Sequence, residues 1–334
     1  MPLFAEPGSP TLAALRPSSN RAPSDDPDWP ALWIFGRRPY PPATADRWPL
    51  RRTDPRQAGG YRLMSRLGSG GTADVFYATG PTGMSVAVKI FRDKDRSVDV
   101  YRREFRLANA VDPESTAPIL GYGVSAAGAY LVTAYLPGYR SGKTLLETPV
   151  PVGRLWRLGS ALARTLAAIH ARGVIHCDVK PSNLLIRRND MRLIDFGIAR
   201  YTGEPGRTDG IVECSRGWAA PEQLTTAPIT PAVDVFAWGC LIAYLAGGVH
   251  PFASNSTQEW MLRIRSAEPD LYGLPDDLAE VVAATLARDQ QTRPSATDLA
   301  AICRAHRPRP ARQMLAQPSP PTPRRHALAA QAGG

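Results

Sequence analysis

The spacing of apolar residues changes once along this chain, and that change limits the folds open to it. Residues 61–67, 73–78, 84–91 and 130–135 are short runs rich in Val, Tyr, Leu and Ala, separated by glycine-bearing turns. That is how an antiparallel sheet reads. One helical stretch, about Val98–Asn109, interrupts them. From about Val152 the period is helical: Leu155, Leu158, Leu162, Leu166 and Ile169 fall at steps of 3, 4, 4 and 3 and line one face of a helix that ends before Gly173. Thr230-Pro231 supplies an N-cap followed by Pro at the first helical position, opening a helix over about Ala232–Ala246 that Gly247-Gly248 closes. Ser295, with Asp298 three residues later, opens the last helix, to about His306. The expected fold class is α+β, a small antiparallel β lobe with one helix followed by a larger, mainly helical lobe.

The two ends read differently from this middle. Pro accounts for 33 of 334 residues, roughly twice the usual share of about 5%, and it clusters at the termini. Residues 1–57 form a Pro-rich, mostly disordered N-terminal arm in which X-Pro steps such as Trp29-Pro30 and Trp48-Pro49 forbid helix. Its stretch Trp29-Pro30-Ala31-Leu32-Trp33-Ile34-Phe35 is apolar enough to serve in docking or regulation. Residues 307–334 form a basic, Pro-rich disordered tail with five arginines and no acid. The folded unit is expected over 58–306, with a small lobe at 58–135, a connecting hinge at 134–138 and a large lobe at 139–306.

Net charge is +10, yet half of it sits in that tail, so the folded part lacks the basic concentration of a nucleic-acid-binding domain. Cys177, Cys214, Cys240 and Cys303 lie far apart with no C-x-x-C pair, which is neither a zinc framework nor a disulfide scaffold. No basic start precedes an apolar run at the N-terminus, and no stretch approaches the roughly 18 apolar residues of a membrane span. The expectation is a soluble, cytoplasmic protein without a membrane span or a nucleic-acid partner.

Four short segments carry the chemistry. Leu67-Gly68-Ser69-Gly70-Gly71-Thr72-Ala73-Asp74-Val75 is a glycine turn between two strand-like runs, where a bare backbone can approach phosphate oxygens. Val86-Ala87-Val88-Lys89 follows in the next strand, and Glu104 on the helix after it is a partner able to hold the Lys89 ammonium toward a phosphate. His176-Cys177-Asp178-Val179-Lys180-Pro181-Ser182-Asn183 is the most specific. A hydroxyl attacking a phosphoryl group needs an oxygen to take its proton, a cation to offset moving charge, and an oxygen ligand for a hard metal. Asp178, Lys180 and Asn183 supply these, and Ile194-Asp195-Phe196-Gly197 adds a second carboxylate suited to Mg²⁺.

In this order, across residues 61–306, these segments resemble the protein kinase family, specifically bacterial serine/threonine kinases of the eukaryotic type. The resemblance implies the bilobal protein kinase fold. It implies transfer of the ATP γ-phosphoryl group to Ser or Thr of protein substrates in cytoplasmic signalling, with autophosphorylation through a transient homodimer. By the same likeness, Leu67, Gly68, Ser69, Gly70, Gly71, Val75 and Ala87 belong to the ATP site, the Gly68/Gly70 loop covering the phosphates, and Lys89 pairs with Glu104 while touching the α- and β-phosphates. Asp178 matches the catalytic base with Lys180 beside it, and Asn183 and Asp195 match the ligands of Mg²⁺, with Mn²⁺ as the alternative ion. Thr133 matches the back of the adenine pocket and Ala134-Tyr135-Leu136 the hinge. Ala220-Pro221-Glu222 matches the end of the activation segment, Asp234 the buried Asp opening the long helix, and Arg293 the partner of Glu222.

Three departures carry expectations of their own. Ala73 replaces the third glycine, implying a stiffer loop wherever φ > 0 is wanted. Cys177 replaces the Arg that in many family members grips a phosphorylated activation loop, implying activity independent of phosphorylation at Thr202 or Thr208. Cys214-Ser215-Arg216-Gly217-Trp218 replaces Gly-Thr-Pro-x-Tyr, leaving target preference open. Cys177 and Cys214 also invite a redox brake, against the plainer reading of two small buried residues. Two alternatives compete with the kinase reading. A pseudokinase scaffold is opposed by the intact Lys89, Glu104, Asp178, Asn183 and Asp195. A small-molecule phosphotransferase is opposed by the long segment between Asp195 and Glu222.

Overall fold

A computed structural model describes residues 47–93, 98–146, 150–188, 190–204, 214–215 and 217–306. The small lobe is a six-stranded antiparallel sheet built from β1 (Gln57–Ala58), β2 (Tyr61–Ser69), β3 (Ala73–Thr79), β4 (Ser85–Phe91), β5 (Ile119–Ser125) and β6 (Gly128–Ala134). Its order is β1-β2-β3-β4-β6-β5, and helix α1 (Val98–Ala110) connects β4 to β5. Alternation sends successive side chains to opposite faces. On one face Leu63, Phe76, Ala78, Val86, Val88, Ile90 and Val132 close a small core of their own. On the other, cross-strand register aligns Gly68 with Val75, Val75 with Lys89, and Ala87 with Thr133, so these positions share the face turned away from that core.

The expected strands appear within about two residues of their predicted bounds, and β5 is an addition. Its sequence Ile119-Leu120-Gly121-Tyr122-Gly123 carries two glycines, and a Cβ on Gly123 would come 2.7 Å from the Tyr130 hydroxyl. The glycine makes room for a ring from the neighbouring strand rather than ending one.

The larger lobe follows, with β7 (Arg140–Ser141), α2 (Val152–Ala171), β8 (Val174–Ile175), β9 (Leu184–Arg187), β10 (Asp190–Leu193) and β11 (Arg200–Tyr201). Next come α3 (Ala232–Gly247), α4 (Thr257–Ser266), α5 (Asp276–Thr285) and α6 (Ala296–Ala305). Every residue of α3 from Val233 to Leu245 is buried, as expected of a helix apolar on all sides. Its Trp238 lies against α2 and donates its indole N–H to the Gly159 carbonyl at 2.9 Å. A Cβ on Gly159 would stand 2.8 Å from that indole, so the crossing requires glycine. Gly248 at φ 70° ends α3 in the left-handed region, as the Gly247-Gly248 pair predicts. The Ser295 hydroxyl caps α6 by accepting the Asp298 N–H at 3.1 Å.

The expected arm differs over its last residues. Trp48 and Arg66 exchange backbone hydrogen bonds at 2.9 and 2.8 Å, Leu50 packs on the small core, and Asp54 pairs with the buried Arg66. Residues 47–57 are thus strapped to the small lobe, because their charge and apolar side chains have partners on β2 and β3. Residues 1–46 and the tail 307–334 lie outside the described residues. No helix among the described residues is long and apolar enough to cross a membrane.

Candidate active site

Lys89 sits in β4, on the face carrying Val75, Ala87 and Thr133, and its ammonium bridges two elements. Nζ stands 3.3 Å from Glu104 Oε1 on α1 and donates to Asp195 Oδ1 at 2.6 Å, just beyond β10. Burial alone would push the Lys89 ammonium down, but the charges of Asp195 and Glu104 outweigh it and hold it above its ordinary value. Burial would raise Asp195 in turn, and the Lys89 charge and hydrogen bond instead keep its carboxyl well below the usual carboxylate range. Lys89 and Asp195 therefore stay ionised near neutrality. Residues 106 positions apart along the chain meet at one point.

The segment from His176 to Asn183 is fixed mainly through its backbone. Asp234, buried in the first turn of α3, accepts the N–H groups of His176 and Cys177, each at 2.8 Å, and a third bond from His170 Nε2 at 2.8 Å. Gln223 Nε2 donates to the Cys177 carbonyl at 2.9 Å. This anchoring holds Cys177 at φ 64° and lets Asp178 follow in a fixed direction; Asp195 is held similarly at φ 69°. Non-glycine residues in that region persist only where their surroundings over-determine them. The His176 ring lies edge-on to Phe196 at 4.8 Å, tying the two segments together.

Around Asp178 the polar groups converge. Asn183 Nδ2 donates to the Asp178 carbonyl and to its Oδ2, both at 2.9 Å, and Lys180 Nζ is 3.3 Å from Oδ2 and donates also to the Ser215 hydroxyl. Asp178 Oδ1 is buried with no hydrogen-bond partner among the described residues. An orphaned buried carboxylate oxygen is costly and marks a place where a donor is expected. Asn183 has spent its amide N–H groups on Asp178, leaving Oδ1 as an acceptor, and Asp195 has spent one oxygen on Lys89. No group of three or more His, Cys, Asp or Glu side chains suited to a metal occurs among the described residues. Two hard oxygens without a third protein ligand fit a cation that keeps water and phosphate oxygens in its shell, as Mg²⁺ does.

The glycine turn joins β2 to β3 and is closed by a Gly70 N–H to Ala73 carbonyl bond at 2.9 Å. A Cβ on Gly68 would meet no protein atom within 4 Å, and one on Gly70 only the Ala73 carbonyl at 3.8 Å, so space beside this backbone is open. The stiffness expected from Ala73 has no consequence. Ala73 lies in β3 paired with Phe91, its side chain buried, at a position that does not use φ > 0. The turn carries a brace that its motif does not reveal. Arg92 donates to Ser69 Oγ at 2.9 Å, to the Gly71 carbonyl at 3.3 Å and to both oxygens of Asp74. Leu67, Val75, Ala87, Thr133, Ala134 and Leu136 are all partly exposed around this face and the following connection.

The segment after Asp195 is also held. β11 pairs with β8, Thr202 N–H donates to the Gly173 carbonyl at 2.8 Å, and Arg103 of α1 reaches Glu204 at 2.5 Å. Glu222 and Arg293 form a buried bidentate pair at 2.6 and 3.0 Å, as predicted. Cys177 is buried, and burial with the Asp234 charge pushes its thiol well up, which favours the small-buried-residue reading over a redox role for that side chain. Cys214 is partly buried; Thr208 and Arg216 lie outside the described residues.

Residues 61–302 match the protein kinase domain family. The chain belongs to the protein kinase family. Relatives of this kinase include the "Probable serine/threonine-protein kinase PkwA" of Thermomonospora curvata, 38% identical over 76% of this chain and 35% of that protein. The serine/threonine-protein kinase AfsK of Streptomyces coelicolor is 32% identical over 77% of this chain and 33% of its own length. Serine/threonine-protein kinase pkn2 of Myxococcus xanthus is 32% identical over 74% and 32%. The kinase spans about a third of the length of these relatives. The bilobal architecture expected from the sequence is the fold of this family.

Proposed function

We propose that this kinase transfers the γ-phosphoryl group of ATP to Ser or Thr hydroxyls of protein substrates. The observation that carries the reading is the constellation of Lys89, Glu104 and Asp195 beside Asp178, whose buried Oδ1 has no partner among the described residues. Asn183 and Asp195 are the residues that would hold a divalent cation, Mg²⁺ or Mn²⁺, which when bound offsets charge on the phosphate oxygens. Lys89, kept charged and aimed by Glu104, is placed to pair with phosphate oxygens. Asp178 Oδ1 takes the proton from the acceptor hydroxyl as its oxygen bonds to the γ-phosphorus and the bond to the β–γ bridging oxygen breaks, releasing ADP. Lys180, between Asp178 Oδ2 and Ser215, offsets negative charge on the moving phosphoryl group. Gly68 and Gly70 leave backbone open to the phosphates, and Ala87, Thr133, Ala134 and Leu136 border the adenine.

We assign the reaction to the cytoplasm, because the four cysteines are free thiols, as a reducing compartment keeps them. The domain bounds proposed for the catalytic unit are 47–306, earlier than the sequence expectation of 58, since the strap at 47–57 completes the small lobe. The test is incubation of the purified protein with labelled ATP and either Mg²⁺ or Mn²⁺, with a Ser/Thr peptide mixture, beside Asp178→Asn. Label on Ser or Thr in the wild type alone supports the reading; equal label in both, or nucleotide binding without transfer, overturns it.

A further inference from the structure

A cavity of about 1040 Å³ opens on the larger lobe outside the Lys89–Asp178 cleft, lined by Gly138 of the hinge and by Arg140, Thr144, Arg154, Arg187 and Arg188. Its floor includes the buried Leu145 and Ile186. Four arginines from three parts of the chain, β7, the first turn of α2 and the β9–β10 turn, reach it, all with exposed side chains. Among the described residues the one acidic side chain at its rim, Asp190, is engaged: it accepts the Tyr139 hydroxyl and lies 3.7 Å from Arg192 Nε. The Arg187 guanidinium carbon lies 4.7 Å from the centre of the Tyr139 ring, a cation–π contact at the wall. Arg154 and Arg188 form no ion pair among the described residues. A concave site lined by like charges focuses its field outward, and guanidinium forks match carboxylate and phosphate oxygens two at a time.

We propose that this cavity is a docking pocket for an acidic or phosphorylated segment of the protein substrate, separate from the cleft that would take ATP. Charge complementarity selects the occupant, and position gives it a use. β9 runs from Leu184, next to Asn183, to Arg187 at the cavity, four residues or about 13 Å. A segment anchored at Arg187 and Arg188 therefore stays on a short tether from the catalytic loop, which raises the local concentration of its phosphoacceptor. The inference rests on the kinase reading for its substrate, and its binding arm is independent of phosphoryl transfer.

The test uses the full chain and a fluorescein-labelled peptide carrying five glutamates, with a counterpart in which two glutamates are phosphoserine, followed by fluorescence anisotropy without ATP. The double variant Arg154→Gln/Arg188→Asn keeps the fold, because both side chains are exposed and Asn tolerates the φ of 54° at Arg188. Binding at least tenfold weaker in the variant, and in Arg154→Glu, is the expected result, with unchanged melting temperature. In turnover, adding the glutamate tag to a Ser/Thr peptide lowers KM severalfold for the wild type only, and kcat is the same in both proteins. Equal binding by wild type and variant overturns the proposal. So does inorganic phosphate that matches the peptides in affinity, which makes the pocket a small-anion site. So does a tenfold gain in peptide affinity when Asp25, Asp26 and Asp28 are changed to Asn, which assigns the pocket to the chain's own acidic segment. If neither peptide is phosphorylated while binding still depends on Arg154 and Arg188, the kinase reading fails and the pocket stands.

Discussion

Asp178 is supported on one oxygen and left bare on the other, so its two faces predict different things. Asp178→Asn keeps an oxygen or amide facing Asn183 and Lys180 and loses the base. Turnover is expected to fall by about 10²–10⁴-fold with a melting temperature within a degree or two of the wild type, measured by labelled-ATP assay and calorimetry. His250 makes a separate prediction. It is buried, accepts the Phe252 N–H at 3.1 Å and lies edge-on to Trp218 at 5.5 Å, and burial drives its pKa down to about 3. The unfolded chain protonates near 6.5 while the folded one does not, so stability is full above that value and declines as pH falls toward 3. The expected slope is about 1.4 kcal/mol per pH unit within that window, read by urea unfolding, and His250→Asn flattens it. Residues such as Asp178, Lys89 and Asp195 were legible because the chemistry fixes both their type and their linear company. Arg92, which braces the glycine turn through Ser69 and Asp74, was not, because an arginine ending a strand looks like any solvated charge until the turn folds back over it.

At the scale of elements, two ties decide how the segment between Asp195 and Glu222 is held. The Arg103–Glu204 pair joins α1 to that segment without any phosphate, consistent with Cys177 standing where other family members have arginine. Both side chains are partly exposed, so the pair is worth at most about 1 kcal/mol. Arg103→Gln should lower kcat by no more than about fivefold, and Thr202→Ala should leave it within twofold; a tenfold loss in Thr202→Ala restored by Thr202→Glu would sink this view. The Glu222–Arg293 pair is different because water is excluded. Arg293→Ala strands a buried carboxylate and is expected to cost about 3–5 kcal/mol in urea unfolding, and adding Glu222→Gln should recover part of it. The helices α1, α2, α3 and α6 were read from sequence to within a residue or two because a one-sided apolar period and caps such as Ser295 announce them, whereas α4 and α5 were not read. Two-residue strands such as β7, β8 and β11 have no period to read, and β5 hides behind glycines whose role is to clear space for Tyr130.

For the whole molecule, the strap at 47–57 shows why the predicted boundary at 58 fell late. Composition marks those residues as arm, whereas their partners lie on β2 and β3, far enough along the chain to be invisible locally. Asp54 neutralises Arg66, which is 5% exposed and pairs also with Asp74, itself held by Arg92 beside the glycine turn. Asp54→Asn should therefore cost about 1–3 kcal/mol and raise KM for ATP, since the same chain of charges ends at the phosphate-facing loop; thermal unfolding and ATP titration check both. The strap begins with Arg47, whose guanidinium lies 3.6 Å from the Tyr77 ring centre and 4.8 Å from that of Tyr135, in the linker between lobes. The strap therefore meets the body of the enzyme at the connection that joins its two lobes rather than at an outlying corner.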